Sequence, residues 1–436
     1  MKHLLFILLI LISIHSCKET SFLNSNDIST ETEVSDQLVR PNHYSAYYPD
    51  STFAIRYVRV NFHIMRDGKG LHNFSEEEGT AYIHEYLIET NKKLADNQKM
   101  FIPDGNNTPV LPTRYRFELA PDPNIDGDDG IYFHNDEELY NFVKRSKKRS
   151  QMSNFIFKKY GVQKGKVLNV FVQPHHPDSL KSKTFKKVIT GIAFPNKNWL
   201  RLAGLYSYSR DTMGIKKGVA VTKGAWFCAG LMNHESGHVL GIHHTWSGND
   251  GCSDTPNNPN CYTRQKNAPC NTKASNNVMD YNTYQNAWSP CQLGKVHRNF
   301  SNKNSAQRKM LKRTWCSLNP DATITIKDKT VWTGSRDLEG HLIIGKRAVL
   351  EIKSRVSLPK DGQIIIKPGG KLILNGAKLE NDCGDYWSGI VLEKRGESKG
   401  QVVIINNAVI KDNTNGYRTK PKKGSTSKKK NNKKKK

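Results

Sequence analysis

Acidic residues are scarce in this chain of 436 residues, which has 40 Asp and Glu against 67 Lys and Arg and a formal net charge of +27. Such a surplus favours contact with anionic surfaces or polymers. Long apolar runs are also lacking, because the stretch from Leu4 to Ile14 is too short to span a bilayer as a stable helix. No nucleic-acid motif with interleaved aromatic residues accompanies the basic charge, so we expect no specific nucleic-acid partner.

Cysteine is absent between Lys18 and Phe227, and no two of the eight cysteines are spaced as CxxC. The missing CxxC pairs argue against a structural zinc site built from cysteines. The long gap means that no thiolate of a propeptide after Lys18 can cap a catalytic metal, which leaves only Cys17 for that role if it carries no lipid.

The N-terminus has the features of an export signal. Lys2 precedes the apolar run, and Ile14-His15-Ser16-Cys17 resembles a bacterial lipobox, which implies lipidation of Cys17. Cleavage elsewhere by another signal peptidase is the alternative. Several acyl chains would anchor the protein to a bacterial outer membrane or cell surface. We therefore assign residues 1–17 to the signal peptide and lipobox, and residues 18–50 to a polar tether or short propeptide.

The most informative pattern is the sequence HESGHVLGIHH, which begins at His234. His234 and His238 are four residues apart, so on a helix both imidazoles reach the same ion. Glu235 follows the first of these histidines and lies beside the metal, where its carboxylate can act as general base toward a metal-bound water. The alternative is an ordinary buried helix, because apolar residues also line this segment.

A third histidine follows the predicted helix. Gly241 can adopt the left-handed conformation that ends a helix and reverses the chain, which returns His244 toward the other two histidines. Three histidines leave the fourth position of a tetrahedral zinc to water, so the pattern predicts one catalytic Zn²⁺ rather than a structural one.

Together with the segment Asn277-Val278-Met279-Asp280-Tyr281, this motif resembles that of the metzincin zinc peptidases. The resemblance implies that Met279 forms a hydrophobic floor below the zinc ligands in a Met-turn. It also implies that Tyr281 reaches the metal or stabilises the oxyanion of the tetrahedral intermediate. Substrates would be proteins or peptides.

Within the metzincins, Gly251-Cys252-Ser253-Asp254-Thr255-Pro256 and the cysteines after it resemble pappalysin and cytophagalysin-type peptidases. That pattern implies crossed disulfides, Cys252 to Cys270 and Cys261 to Cys291, although four cysteines allow three connectivities. It also makes a structural Ca²⁺ possible between Ser247 and Asn258, where a solvated turn is the alternative.

Three further cysteines remain, Cys228, Cys316 and Cys383. We predict a bridge from Cys228, ahead of His234 on the same helix, to Cys316 at the end of the helical stretch 304–315. Cys383 would then be free or buried.

Residues 51–318 are long enough for one α/β domain, expected to be a twisted mixed sheet with an active-site helix. Strands are predicted at 55–65, 114–119 and 166–172, and helices at 76–97 and 136–147. The segment Thr190 to Phe194 is the best candidate for an edge strand that pairs with extended substrate, or it is an ordinary sheet edge.

After Pro320 the sequence becomes all-β. Short strand-like runs separated by Gly, Asn, Pro and Lys favour a β-solenoid over residues 319–412, with an immunoglobulin-like sandwich as the alternative. The predicted strands are Thr323–Ile326, Leu342–Ile344, Val349–Ile352, Gln363–Ile366, Lys371–Leu374 and Val402–Ile405. Residues 413–436 form a basic tail, in which Arg418 and ten lysines stand without an acid.

Three functional classes fit these features. The first is an exported, membrane-tethered zinc endopeptidase with Glu235 as its base. The second is a surface-binding or adhesive lipoprotein that acts through the β-solenoid, with an auxiliary peptidase domain. The third is a nonspecific polyanion binder that acts through the lysine-rich tail, for which a solvated, disordered tail is the alternative.

Overall fold

The computed structural model describes residues 19–29, 43–143, 147–186, 188–195, 197–212, 224–248 and 250–415. The lipobox with Cys17 and the lysine-rich segment from residue 416 onward lie outside these ranges. The described residues form two compact units, one within 42–314 and one made of parts of 1–41 and 315–436. Within the described ranges, no helix combines the length and the apolarity that a membrane crossing requires.

The unit within 42–314 is built on a mixed sheet. The first two strands of the chain, β1 (Glu19–Phe22) and β2 (Ile28–Ser29), belong to the other unit. The strands of the unit within 42–314 are β3 (Arg56–Arg66), β4 (Tyr115–Leu119), β5 (Ile131–Asn135), β6 (Leu168–Gln173), β7 (Thr190–Ala193) and β8 (Trp199–Ala203). Its helices are α1 (Glu76–Ala95), α2 (Lys147–Tyr160), α3 (Pro177–Lys181), α4 (Leu205–Ser207), α5 (Ala225–Val239), α6 (Pro290–Ser301) and α7 (Ala306–Lys309).

The order of this sheet is β4-β3-β6-β8-β7, with β5 paired to the C-terminal half of β3. All pairs are parallel except β7 with β8, which confirms the predicted mixed sheet. The strand β7 is the last in the order and covers most of the segment predicted as an edge strand. Because β7 lies at the end of the sheet, one side of its backbone has no strand partner within the described residues.

Helix α5 packs against α1. The Tyr86 hydroxyl donates to the carbonyl of Cys228 at 3.1 Å, and Asn233 Nδ2 donates to the carbonyl of Thr90 at 3.2 Å. Nearly every residue of α5 is buried, which suits its predominantly apolar sequence. The helix is therefore held on several sides, and the polar side chains that it carries have fixed positions.

One helix prediction was wrong. Residues 136–143, the part of this segment before Lys147 that the structure describes, contain no helix, and α2 begins at Lys147. Asp136 instead closes a turn, because its carboxylate accepts hydrogen bonds from the backbone N–H groups of Glu138 and Leu139 at 2.9 and 3.0 Å. A carboxylate used in this way competes with helix formation.

The second unit consists of short strands in three sheets. After β1 and β2 its strands are β9 (Ile324–Ile326), β10 (Thr330–Trp332), β11 (Arg336–Asp337), β12 (Leu342–Ile344), β13 (Val349–Ile352), β14 (Arg355–Ser357), β15 (Gln363–Ile366), β16 (Lys371–Asn375), β17 (Lys378–Glu380), β18 (Gly389–Arg395), β19 (Ser398–Lys399), β20 (Gln401–Ile405) and β21 (Val409–Ile410). The six strands predicted from the sequence are confirmed, with ends that differ by one residue at most.

Each strand from β9 to β17 pairs in parallel with a strand of the next coil, a coil being one passage of the chain through the three sheets, as β9 does with β12 and β12 with β15. Strand β19 instead pairs antiparallel with β18. The three sheets follow the orders β9-β12-β15-β18, β10-β13-β16-β20 and β11-β14-β17-β21. Their inward residues stack into one apolar core, in which Ile324, Leu342, Ile364 and Ile390 form one column. Parallel pairing excludes the immunoglobulin-like alternative, whose sheets are antiparallel.

Residues 19–29 differ from the expected polar tether. Strand β1 pairs antiparallel with β18, and β2 pairs in parallel with β20, so both extend the last coil of the second unit. Leu23 adds a buried side chain to the apolar core. Since β18 and β20 would otherwise expose the edge of two sheets, this segment closes that edge.

The predicted disulfides were wrong in their pairing. The bonds are Cys252–Cys291, Cys261–Cys270 and Cys316–Cys383. Asp254 explains the first, because its carboxylate accepts hydrogen bonds from Ser289 Oγ and from the backbone N–H of Cys291 at 2.7 and 2.9 Å. These contacts hold the loop around Cys252 at the start of α6, so the crossed pattern cannot form.

The predicted bridge from Cys228 to Cys316 was also wrong. Cys228 is a free thiol, fully buried on α5, and its burial raises its pKa to about 12. Cys316 bonds instead to Cys383 in the second unit, so Cys383 is not free.

Candidate metal centre

The three predicted histidine ligands meet at one point. His234 and His238 lie one turn apart on α5, and His244 reaches them from the segment after the helix. The Nε2 atom of His244 is 3.3 Å from that of His234 and 3.2 Å from that of His238. Two nitrogens bound to a tetrahedral zinc at its usual bond length lie about 3.3 Å apart. The donor atoms therefore fit zinc in both type and spacing.

Backbone carbonyls orient two of these rings. The Nδ1 atom of His234 lies 2.7 Å from the carbonyl oxygen of Val278, and that of His238 lies 2.8 Å from the carbonyl oxygen of Ile242. A proton on Nδ1 directs the lone pair of Nε2 toward the other histidines, which is the tautomer that a metal ligand needs. Burial lowers the pKa of His234 to about 3 and that of His238 to about 4, so both are neutral ligands at pH 7.

Gly241 ends the helix as predicted from its position. Its φ of +98° lies in the left-handed region, and its N–H donates to the carbonyl of His238 at 3.0 Å. Asn299 on α6 caps the adjacent carbonyl of Leu240 at 2.9 Å. The reversal after Gly241 brings His244 back to the face of α5 that carries the other ligands.

Glu235 lies beside the histidines and is 5% exposed. It faces Gly191 on the edge strand β7, where an added Cβ would lie 2.4 Å from the Glu235 carboxylate oxygen. The absence of a side chain at position 191 thus leaves the space that the carboxylate occupies. The sequence pattern indicated the strand but not this role of its glycine.

Met279 lies below the ligands and is fully buried. A Cβ added to Gly237 on α5 would lie 2.3 Å from Met279 Sδ, so the sulfur packs directly on the helix backbone between the two histidine ligands. The role of Met279 as the floor of a Met-turn stays a prediction.

Tyr281 lies at the open side of the site. Its ring centroid is 4.8 Å from that of His244 and 5.7 Å from that of His234, and the side chain is half exposed. Burial of the phenol and the nearby Glu235 raise the pKa of Tyr281, so its hydroxyl stays a hydrogen-bond donor at neutral pH.

Asp280 is a residue of the site that the sequence pattern did not predict. It is fully buried, and its carboxylate accepts hydrogen bonds from Thr245 Oγ1 at 2.6 Å, from the backbone N–H of Trp246 at 3.1 Å and from Asn258 Nδ2 at 3.1 Å. These bonds fix the chain directly after His244. The only sequence signal for it was its place between Met279 and Tyr281.

The other acidic groups near this site are engaged with their own loops. Asp250 accepts from Thr255 Oγ1 at 2.6 Å, and Asp254 holds the start of α6. Among the described residues, a second group with metal-ligand spacing comprises Cys252, Asp254 and Cys291, but its two sulfurs form a disulfide. The calcium site stays a prediction.

Comparisons with known proteins add only distant similarities. No family model and no curated protein matches the chain. A solved structure of mirolysin in complex with compound 9 is 18% identical with a TM-score of 0.40, and covers 59% of this chain and 96% of its own. Mature mirolysin of Tannerella forsythia with a cleaved peptide is 19% identical with a TM-score of 0.39, and covers 60% and 96%. Metalloproteinase-II from Bacteroides fragilis is 9% identical with a TM-score of 0.22, and covers 55% and 56%. All three TM-scores are below 0.5, so the functional argument rests on the site residues.

Proposed function

We propose that this protein is a zinc-dependent endopeptidase of the metzincin type, close to the pappalysin-like branch. The observation that carries the proposal is the convergence of three histidine Nε2 atoms at zinc spacing beside the buried carboxylate of Glu235. Three protein ligands leave one position open, which is typical of catalytic rather than structural zinc.

The residues of the site have distinct roles in peptide hydrolysis. When bound by the three histidines, zinc would lower the pKa of a coordinated water to about 7. Glu235 would take a proton from the attacking water and pass it to the leaving amine. The protonated Tyr281 hydroxyl would donate a hydrogen bond to the oxyanion that forms at the carbonyl. Met279 supports α5 from below and takes no part in proton transfer.

Substrate binding is proposed at β7. This strand has a free edge in the described structure, and its Gly191 lies against Glu235. An extended peptide that pairs with this edge through backbone hydrogen bonds would pass the general base with its scissile bond. Such pairing needs an unfolded segment, which favours flexible protein substrates.

Gly191→Ala is expected to lower kcat roughly 10–100-fold while zinc content stays unchanged. The added Cβ would overlap Glu235 and displace the carboxylate, and a displacement of about 1 Å can cost on the order of 100-fold in rate. The test compares kcat and bound zinc with those of Gly68→Ala, where an added Cβ meets nothing closer than 3.4 Å. A Gly191→Ala enzyme with wild-type kcat would show that the strand does not constrain the base.

Chelation tests the proposed activity as a whole. We expect the mature chain to release peptides from casein, to lose this activity with a zinc chelator, and to regain it when Zn²⁺ is added back after the chelator is removed. Activity that survives complete removal of zinc, measured by elemental analysis, would overturn the proposal. A folded, zinc-loaded protein that cleaves no member of a broad peptide library would instead favour the surface-binding lipoprotein.

The proposed location of the enzyme rests on the N-terminal sequence. We propose that the protein is exported and anchored through a lipid on Cys17, and that the three parallel sheets of the second unit are a short β-solenoid. Three disulfides support an oxidising location. The lysine-rich tail would add nonspecific attraction to anionic polymers or surfaces.

A further inference from the structure

One corner of the second unit carries a row of positive charges from successive coils. It lies where the chain turns from the sheet of β9, β12, β15 and β18 into the sheet of β10, β13, β16 and β20. We call this surface the basic ridge. Its members are Lys327, Lys329, Lys346, Arg347, Lys371 and Arg395.

Hydrogen bonds show that these turns lie one above another. The N–H of Gly345 donates to the carbonyl of Ile326, the N–H of Lys367 to the carbonyl of Ile344, and the N–H of Gly369 to the carbonyl of Lys399. Neighbouring coils are therefore about 4.8 Å apart along the ridge. Cations repeated at this spacing form a continuous stripe rather than a scatter of surface charges.

The ridge keeps most of its charge. Five of its six members are exposed and Lys371 is half-buried, and within the described residues none of the six forms an ion pair with an acid. Other lysines of this corner are neutralised, because Lys367 pairs with Glu393 at 2.7 Å and Lys399 with Asp27. Glu19 is also exposed at this corner, but it pairs with Lys394. The exposed acids of the corner with no ion pair among the described residues are Asp328 and Glu397, which leaves a net charge of +4 on the ridge and these two acids.

Strand β1 begins at the same corner. Glu19 lies opposite Lys394 in the pairing of β1 with β18, and the two side chains form an ion pair at 3.8 Å. Cys17 precedes Glu19 by two residues, which span at most about 7 Å of chain. An acyl anchor on Cys17 would thus hold this corner at the bilayer surface.

The neighbouring face of the unit is suited to the same surface. Ile343, Ile365 and Val391 form an outward column on the sheet, and Phe22 continues the column beside Val391 with half of its side chain exposed. Apolar side chains next to a row of cations are typical of proteins that lie on anionic lipid.

We propose that the basic ridge is a docking surface for a bilayer that presents anionic lipid headgroups. Each cation near such a surface contributes roughly a five-fold gain in affinity. The ridge would orient the second unit on the membrane in addition to holding it there. This inference is independent of the peptidase activity.

The test uses the chain from Lys18 to Lys436, without lipid, and vesicles of phosphatidylcholine and phosphatidylglycerol in equal parts. Lys346→Gln combined with Arg395→Gln, two exposed sites on different coils, is expected to weaken vesicle binding roughly 25-fold. The difference should shrink as salt is raised. The matched control removes the same charge from the other unit, with Lys266→Gln and Lys273→Gln, and should bind like the wild type.

A second variant is expected to strengthen vesicle binding, so its effect cannot be explained by misfolding. Glu397→Gln removes an acid at the tip of the ridge, so we expect roughly five-fold tighter binding to the same vesicles. Unchanged binding by both ridge variants, or equal binding to pure phosphatidylcholine, would overturn the proposal. The proposal would also fail if deletion of 419–436 abolished vesicle binding while the ridge substitutions had no effect on it. The same holds if the ridge substitutions weakened binding to heparin but not to the vesicles.

Discussion

Glu235→Gln is expected to lower kcat for peptide hydrolysis by about 10²–10⁴-fold while the protein keeps its zinc. The substitution preserves the shape of a buried side chain and removes only its basicity. The Nε2 atom of His244 lies 3.2 Å from that of His238 and 3.3 Å from that of His234 without help from Glu235, so the metal site should stay intact. The separation between lost turnover and retained metal is what identifies a general base.

Steady-state kinetics and zinc analysis of the same preparation measure this effect. Glu77→Gln, an exposed glutamate in the first turn of α1, serves as the control and should retain full activity. If Glu235→Gln kept more than a tenth of wild-type kcat, another group would have to take the proton. If it lost its zinc, the role of Glu235 would be structural.

The predictable part of the site is the part set by helical spacing. Residues 234, 235 and 238 are neighbours on α5 because the chain is helical there, and Gly241 turns the chain by adopting the conformation that glycine allows. These relationships are local, so a sequence pattern is enough to state them. The strands of the second unit were predictable for the same reason, since alternation of apolar residues over three to five positions fixes both length and face.

The parts that failed depend on contacts distant in sequence. The pairing of Cys252 with Cys291 follows from Asp254, whose carboxylate binds the start of α6 nearly forty residues later in the chain. The segment 19–29 was expected to be a tether because it is polar. It forms strands because a sheet edge pairs through backbone groups, which every residue possesses.

Gly191 is a third example of a structural role that the sequence alone does not predict. A glycine in a short strand usually signals a bulge or a close approach, but the sequence does not say what approaches. Here the neighbour is the carboxylate of the proposed base on another element. Strand β7 and helix α5 can therefore approach closely because position 191 has no side chain.

Asp280→Ala is expected to weaken zinc binding by about 10–100-fold, although Asp280 is not a ligand. Its carboxylate holds Thr245 and Trp246, which follow His244 directly, so its loss frees the segment that presents the third imidazole. The buried donors left behind cost roughly 1–3 kcal/mol each, which should also lower the thermal unfolding midpoint. Asp280→Asn, which keeps one acceptor oxygen, should fall between the wild type and Asp280→Ala in zinc affinity.

Competition with a chromophoric chelator measures the zinc affinity, and calorimetry of the zinc-free and zinc-bound forms measures the stability. Asp178→Ala removes a carboxylate from the same unit at a position 77% exposed and should change neither quantity. A loss of stability in Asp280→Ala with wild-type zinc affinity would mean that the segment after His244 keeps its path without the carboxylate. If Asp280→Ala loses both zinc affinity and thermal stability, Asp280 helps to form the metal centre. His244 lies outside the helix, so its imidazole reaches the metal only if the chain around it is held in a fixed position.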